Sequence, residues 1–137
     1  MLSAKTKLLV AVRADRICEY CRCPEQFSST TFSVEHIHPR QLGGTDELDN
    51  LAFACQGCNN IKFTKTSGID PETAKTVPFF HPRRQEWAEH FAWSDSLQIV
   101  LGLTPSGRAT IDALKLNREE VRNLRGLLFL IGEHPPK

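Results

Sequence analysis

The chain has 137 residues, of which 40% are hydrophobic and 24% are charged. This length and composition are typical of one globular domain, and they exclude a fibrous or disordered chain. No apolar run reaches about 18 residues and the N-terminus lacks a secretion signal, so we expect a cytoplasmic protein that does not cross a membrane. With a net charge of +1, binding to nucleic acid would depend on basic residues gathered in one place.

The first half of the chain predicts short strands between two helices. Residues 3–16 place apolar side chains at helical spacing, with Ser3 as the candidate N-cap. The segment TTFSVEHI predicts a strand that ends at Pro39, and LAFAC predicts a second strand after the turn-rich loop QLGGTDELDN. A second helix is expected over NNIKFTK, with Gly57 or Cys58 near its beginning.

The second half predicts a mixture of turns, one strand and two helices. Residues 67–82 contain three prolines, so no long element is expected there. In RRQEWAEHFAW, Trp87 and Phe91 lie one helical turn apart, a spacing typical of core packing. LQIVLGLT predicts a strand and PSGRATIDAL a turn into a short helix. LNREEVRNLRGLLFLIG predicts a final helix, with Asn117 as N-cap and Glu120 completing a capping box. No linker or repeat divides the chain, so residues 1–137 are predicted to form a single domain.

Four of the five cysteines form two CxxC pairs. Cys18 and Cys21 stand in CEYC, and after 33 intervening residues Cys55 and Cys58 stand in CQGC. Tetrahedral zinc prefers four such thiolates, so we predict a structural zinc site rather than unrelated buried thiols. Cys23 is left over and is interpreted as a free thiol. Zinc contributes about 10–16 kcal/mol in small peptides, against total domain stabilities of about 5–15 kcal/mol, so the chain is expected to need zinc to fold.

The stretch VEHIHPRQLGGTDELDNLAFACQGCNNIK, with CEYC before it, resembles the HNH endonuclease motif in its variant with two CxxC knuckles. The resemblance covers residues 18–62. It implies an α+β fold, with a ββα-metal (His-Me finger) core over residues 18–66 and a separate structural zinc site of four cysteines. An N-terminal helix and a C-terminal strand and helix extension over residues 67–137 would complete the domain. It also implies a metal-dependent endonuclease that cuts DNA phosphodiester bonds and leaves 5′-phosphate and 3′-hydroxyl ends.

The resemblance assigns roles to four residues. The first His of the motif falls on His36, the Asn on Asn50 and the last position on Asn59, while Glu35 stands where relatives bind the metal. Oxygen ligands suit a hard ion such as Mg²⁺ or Mn²⁺, and Glu35 and Asn59 would supply them. An imidazole with a pKa near 6.5 is mostly neutral at physiological pH, so His36 is the candidate general base. Asn50 is expected to hold the loop that keeps His36 oriented.

Glu35 and His36 are neighbours, so they can face one cleft only if the strand bends near Pro39. His38 is left open between a solvated residue and a contact with the ion or a phosphate.

Three further residues are candidate contacts to DNA. Lys62 follows Asn59 by one helical turn and is predicted to meet a phosphate. Arg83 and Arg84, beside His81, form the best basic cluster outside the motif.

Two functions are compatible with these residues. The first is the endonuclease, acting on double-stranded DNA without an organic cofactor. The alternative is a catalytically inactive, zinc-stabilised module that binds nucleic acid or protein. The complete set of Glu35, His36, Asn50 and Asn59 favours the enzyme. The DNA specificity, the oligomeric state and the choice between nicking and double-strand cleavage are left open.

Overall fold

The computed structural model describes all 137 residues, which divide into two compact units. Unit 1 comprises Met1–Thr66 and His81–Arg84, and unit 2 comprises Ser67–Phe80 and Gln85–Lys137. The elements of unit 1 are helix α1 (Ala4–Arg13), strand β1 (Ser33–His36), strand β2 (Leu51–Ala54) and helix α2 (Gln56–Lys62). Helices and short antiparallel strands therefore confirm the predicted α+β class, and the β1–β2–α2 order agrees with the predicted ββα core. Whether the two units act as one domain stays a prediction.

Helix α1 begins at the predicted cap and supports β2. The Ser3 hydroxyl accepts a hydrogen bond from the backbone N–H of Thr6. The core of unit 1 is formed by four buried residues of α1 and β2, namely Val10, Ala11, Leu51 and Phe53. At the end of α1, Arg13 donates to the carbonyls of Leu48 and Leu51 over 3.0 and 2.7 Å. The helix is thus fixed to the start of β2 by both packing and hydrogen bonds.

Strands β1 and β2 pair antiparallel, with Glu35 opposite Ala52 and His36 opposite Leu51. All of β2 is buried, whereas the only buried residue of β1 is Glu35. Because the pairing is regular through His36, the side chains of Glu35 and His36 point to opposite faces of the strand pair. The bend that was expected at this position therefore begins only after His36.

The loop between β1 and β2 folds back over the end of β1. It contains two short 3₁₀ turns, Arg40–Leu42 and Leu48–Asn50. Gly43 has a φ of +92°, and a Cβ on Gly44 would lie 1.7 Å from the carbonyl oxygen of His38. The double glycine is therefore required for the close approach of the loop to the backbone that follows β1.

Unit 2 consists of two hairpins and three helices. Its elements are β3 (Ser67–Ile69), β4 (Thr76–Pro78), α3 (Trp87–His90), β5 (Phe91–Trp93), β6 (Val100–Gly102), α4 (Pro105–Leu114) and α5 (Glu119–Leu130). Strand β3 pairs antiparallel with β4, and β5 with β6. Helix α4 packs against both hairpins. The hairpin β3–β4 was not predicted, because its three-residue strands lie between the prolines and turn residues of this segment.

One prediction in unit 2 is confirmed and one is wrong. Trp87 and Phe91 pack together as their spacing predicted, with ring centroids 5.2 Å apart, although helix α3 ends at His90 and Phe91 begins β5. Asn117 does not cap α5; its amide accepts from the Val100 N–H over 2.8 Å and donates to the Val100 carbonyl over 2.9 Å. Since buried strand backbone needs hydrogen-bond partners, the Asn117 side chain satisfies the backbone of β6 instead of capping α5. No helix in the structure combines the length and apolar character required to cross a lipid bilayer.

Candidate functional site

The sulfur atoms of Cys18, Cys21, Cys55 and Cys58 all lie within 4.8 Å of one another. In a tetrahedral zinc site with Zn–S bonds of about 2.3 Å, neighbouring sulfurs are about 3.8 Å apart. The observed separation of Cys21 Sγ and Cys55 Sγ is 3.7 Å. Three of the four cysteines are buried and Cys55 is half-buried. The four residues therefore form a possible zinc-binding group, and their donor chemistry and spacing fit that ion.

Each CxxC pair forms a tight turn that supports the cluster. The backbone N–H of Cys21 points to Cys18 Sγ at 3.5 Å, and that of Cys58 points to Cys55 Sγ at 3.4 Å. Burial raises the pKa of the Cys18 thiol, whereas hydrogen bonds from Cys18, Cys21 and Cys58 lower the pKa of Cys55 below its usual range. The arrangement thus stabilises thiolate charge at Cys55, which also caps helix α2. Cys23 is buried but lies outside this group.

The residues between Cys18 and Cys21 connect this turn to both strands. Tyr20 is 1% exposed, and its hydroxyl donates a hydrogen bond to Glu35 Oε1. Glu19 accepts from the backbone N–H of Phe53 over 2.8 Å and pairs with Arg83. Sequence analysis did not single out Glu19 or Tyr20; the only signal in the sequence was their place between the two cysteines of CEYC. The CEYC turn therefore holds β1 and β2 as well as the sulfur cluster.

Glu35 lies in a buried ion pair with Lys62. Glu35 is 6% exposed, and its Oε2 lies 3.0 Å from Lys62 Nζ. The same ammonium donates to the carbonyls of His36 and Ile37 over 3.4 and 3.1 Å. Burial raises the pKa of Glu35, and Lys62 opposes that shift. Lys62 is only 2% exposed, so the predicted contact with a DNA phosphate would require it to leave this pair.

His36 ends β1 with its ring half-buried. Its side chain is 16% exposed, and Nε2 lies 2.8 Å from Asp46 Oδ1. Asp46 also accepts from Arg40 Nε over 2.9 Å. Hydrogen bonds from Arg40 and then from His36 lower the pKa of Asp46 to about 2. Sequence analysis missed Asp46, whose only signal is its place two residues after the double glycine.

Asn50 is the residue that closes the loop. It is 9% exposed, and its Oδ1 accepts from the His38 N–H over 2.9 Å. Its Nδ2 donates to the carbonyls of His38 and Thr45 over 3.0 and 2.8 Å. A part for Asn50 in catalysis stays a prediction. The exposed His38 ring contacts the Leu42 carbonyl at 2.9 Å.

The remaining predicted site residues occupy different surroundings. Asn59 is half-buried in α2, one helical turn before Lys62. The Arg83 side chain is 14% exposed because it pairs with Glu19, whereas Arg84 is exposed. Of the two arginines, Arg84 is therefore the one that faces solvent.

Two antiparallel strands, a following helix and a cluster of four cysteines that could bind zinc form a ββα unit. Residues 18–65 match the family model described as HNH endonuclease. The match confirms, for this segment, the resemblance to the HNH endonuclease motif seen in the sequence. The match covers about a third of the chain and lies within unit 1. The match supports a nuclease-type function for this segment, and the family it matches implies a nucleic-acid substrate. No curated protein and no solved structure matches the chain.

Proposed function

We propose that unit 1 is a metal-dependent endonuclease that hydrolyses phosphodiester bonds of duplex DNA. His36 acts as the general base, while Glu35 and Asn59 hold one divalent ion. Because Glu35 and His36 point to opposite faces of β1, the ion and the base would approach the substrate from the two sides of the strand end, where the chain bends after His36. The observation that carries the proposal is the return of α2 to the end of β1 within the HNH segment. Lys62 from this helix contacts Glu35 and the backbone of His36, and Asn59 precedes it by one turn.

The charge distribution supports a DNA substrate. Unit 1 contains ten Lys and Arg against seven Asp and Glu, whereas unit 2 contains seven against nine. Positive charge is therefore gathered in the unit that contains the HNH segment, as binding to a phosphate backbone requires. The exposed Arg84 belongs to this unit and is proposed to contact phosphates. The predicted contribution of Arg83 to DNA binding is proposed to be indirect, because its ion pair with Glu19 would hold the turn that presents Arg84.

The oxygen donors near β1 suit a hard cation. The Lys62 ammonium already has three oxygen neighbours here, one from Glu35 at 3.0 Å and the carbonyls of His36 and Ile37 at 3.4 and 3.1 Å. A carboxylate offers about four lone-pair sites, so Glu35 can keep Tyr20 and Lys62 and still bind an ion. A bound Mg²⁺ or Mn²⁺ would polarise a phosphoryl oxygen and offset the charge on the leaving oxygen. The cluster of four cysteines is proposed to hold zinc, which would maintain the fold.

In the proposed reaction, His36 removes a proton from a water molecule whose oxygen bonds to phosphorus. The bond from phosphorus to the 3′-oxygen breaks, and this oxygen takes a proton from solvent. The products would be a 5′-phosphate and a 3′-hydroxyl. Asn50 would contribute by holding the loop that covers the end of β1.

One observation favours the alternative of a non-catalytic binding module. Both Glu35 oxygens already have protein donors, Tyr20 and Lys62, and the carboxylate is buried. If the role of Glu35 is purely structural, the protein would still bind DNA but would have no site for the ion.

Plasmid cleavage distinguishes the two functions. Zinc-loaded protein is incubated with supercoiled plasmid and Mg²⁺ or Mn²⁺, and ligation of the product tests for 5′-phosphate and 3′-hydroxyl ends. His36→Ala should reduce cleavage by about 100-fold or more, the usual contribution of a general base. His38→Ala is the matched control, because His38 is exposed and lies two residues further along. Binding of DNA without cleavage by the wild type would favour the alternative, and equal cleavage by His36→Ala would rule out His36 as the base.

A further inference from the structure

Asp46 is an exposed carboxylate that receives two hydrogen bonds at one oxygen. Its Oδ1 lies 2.8 Å from His36 Nε2 and 2.9 Å from Arg40 Nε. We propose that Asp46, held by Arg40, is a positioning residue that keeps the proton of His36 on Nε2, so that Nδ1 is the atom that accepts a proton from water. This inference rests on the proposed function, because it names the reacting atom of the same base.

The direction of the hydrogen bond follows from the chemistry of the two groups. The pKa of Asp46 is lowered to about 2, first by Arg40 and then by His36, so its carboxylate is ionised at neutral pH. An ionised carboxylate can only accept hydrogen bonds. The proton in this contact is therefore on His36 Nε2. A neutral imidazole has a single N–H, so Nδ1 then carries the free lone pair.

The loop gives Asp46 a defined position despite its exposure. Gly44 allows the chain to pass against the His38 carbonyl, where any Cβ would clash. The residue before Asp46 is Thr45, whose carbonyl accepts from Asn50 Nδ2 over 2.8 Å. Asn50 also holds both backbone groups of His38. The buried side-chain amide of Asn50 thus connects the residue before Asp46 to the end of β1, and this fixes the direction from which the Asp46 carboxylate contacts His36.

The contact would matter most after proton transfer. When His36 takes the proton from water on Nδ1, the ring becomes a cation, and the carboxylate beside Nε2 stabilises that charge. The new hydroxide oxygen forms the bond to phosphorus while the 3′-oxygen departs. Since the Asp46 side chain is 50% exposed, water weakens this stabilisation compared with that in a buried dyad. We therefore expect Asp46→Ala to lower kcat by about 10–100-fold, which is less than the loss of the base itself because that contributes about 100-fold or more.

Histidine NMR provides a readout that does not depend on activity. In protein labelled with ¹⁵N-histidine, the His36 signals are assigned by their absence in His36→Ala. The wild type at pH 8 should show a protonated Nε2 and an unprotonated Nδ1. Asp46→Ala should lose the observable Nε2–H resonance, because its acceptor is gone. A wild-type ring protonated on Nδ1 would overturn the inference.

Kinetics complete the test with a matched control. Glu47 is the neighbouring exposed acid, and no hydrogen bond or ion pair links its side chain to His36. Glu47→Ala should keep kcat within about 2-fold, whereas Asp46→Ala should lower kcat with KM changed less than about 3-fold. Asp46→Asn keeps an acceptor oxygen without the charge, so its kcat should lie between the two. Circular dichroism and zinc content should be the same in all variants.

The outcomes separate this inference from the proposed function. If the wild type cuts DNA and Asp46→Ala cuts as fast as Glu47→Ala, the role of Asp46 is refuted and the endonuclease stands. If the wild type does not cut, the proposed function fails, while the NMR tautomer still decides which nitrogen carries the proton.

Discussion

Replacing Lys62 by methionine should produce a large loss of stability that depends on Glu35. The side chains of Lys62 and Glu35 are 2% and 5% exposed, and their charged atoms are 3.0 Å apart. Removing one partner of a buried ion pair leaves an uncompensated charge, which typically costs about 3–5 kcal/mol. Lys62→Met is expected in this range. Glu35→Gln should cost about 3 kcal/mol, because the Lys62 ammonium keeps the Ile37 carbonyl at 3.1 Å.

The double variant tests whether the two charges act as a pair. Lys62→Met combined with Glu35→Gln should cost about 1–3 kcal/mol less than the sum of the single changes. The free energy of unfolding is measured by urea titration of zinc-loaded protein, followed by far-UV circular dichroism. Lys65→Met is the control, because Lys65 is exposed, and it should change stability by less than about 0.5 kcal/mol. Additive costs, or a Lys62→Met variant as stable as Lys65→Met, would show that this ion pair does not form in solution.

Three further outcomes are expected. Cys18→Ser should lose bound metal and unfold, whereas Cys23→Ser should keep both the metal and the helical signal, because Cys23 lies outside the sulfur cluster. Metal analysis and circular dichroism measure the two effects. Retention of metal by Cys18→Ser would contradict its assignment as a ligand. Arg83→Ala should lower stability by about 2 kcal/mol, because it leaves the nearly buried carboxylate of Glu19 without its partner. Arg84→Ala should instead weaken DNA binding in low salt without a change in melting temperature. The reverse pattern would refute the assignment of a structural role to Arg83 and a DNA-binding role to Arg84. Asn50→Ala removes three hydrogen bonds to the loop and should speed amide exchange there; unchanged exchange would exclude the loop-closing role.

The parts of the fold that could be predicted depend on neighbours in the sequence. The cap at Ser3 and the two CxxC turns involve residues three apart, so the sequence contains their full pattern. The strands β1 and β2 were visible because β-branched and aromatic residues are bounded by turn residues. The short hairpin β3–β4 carries no such boundary, since Pro78 lies within β4 itself.

The parts of the candidate site that could not be predicted are contacts between distant residues. Tyr20 and Glu35 are 15 residues apart, and Glu35 and Lys62 are 27 apart. Helical spacing correctly related Lys62 to Asn59, but burial of an ammonium depends on what the tertiary fold places beside it. Asp46 was missed for the same reason, because its importance comes from proximity to His36 across a loop.

The CEYC turn makes the position of Glu35 sensitive to any chelator that removes metal from the sulfur cluster. The cysteines that would bind the structural metal flank Tyr20, whose hydroxyl secures Glu35. A strong chelator such as EDTA would therefore act twice, once on the ion proposed for catalysis and once on the turn that keeps the carboxylate in place. Inhibition by EDTA alone would not identify which metal takes part in cleavage. A mild exchange resin that spares the thiolate-bound metal, followed by Mg²⁺ replenishment, would separate the two.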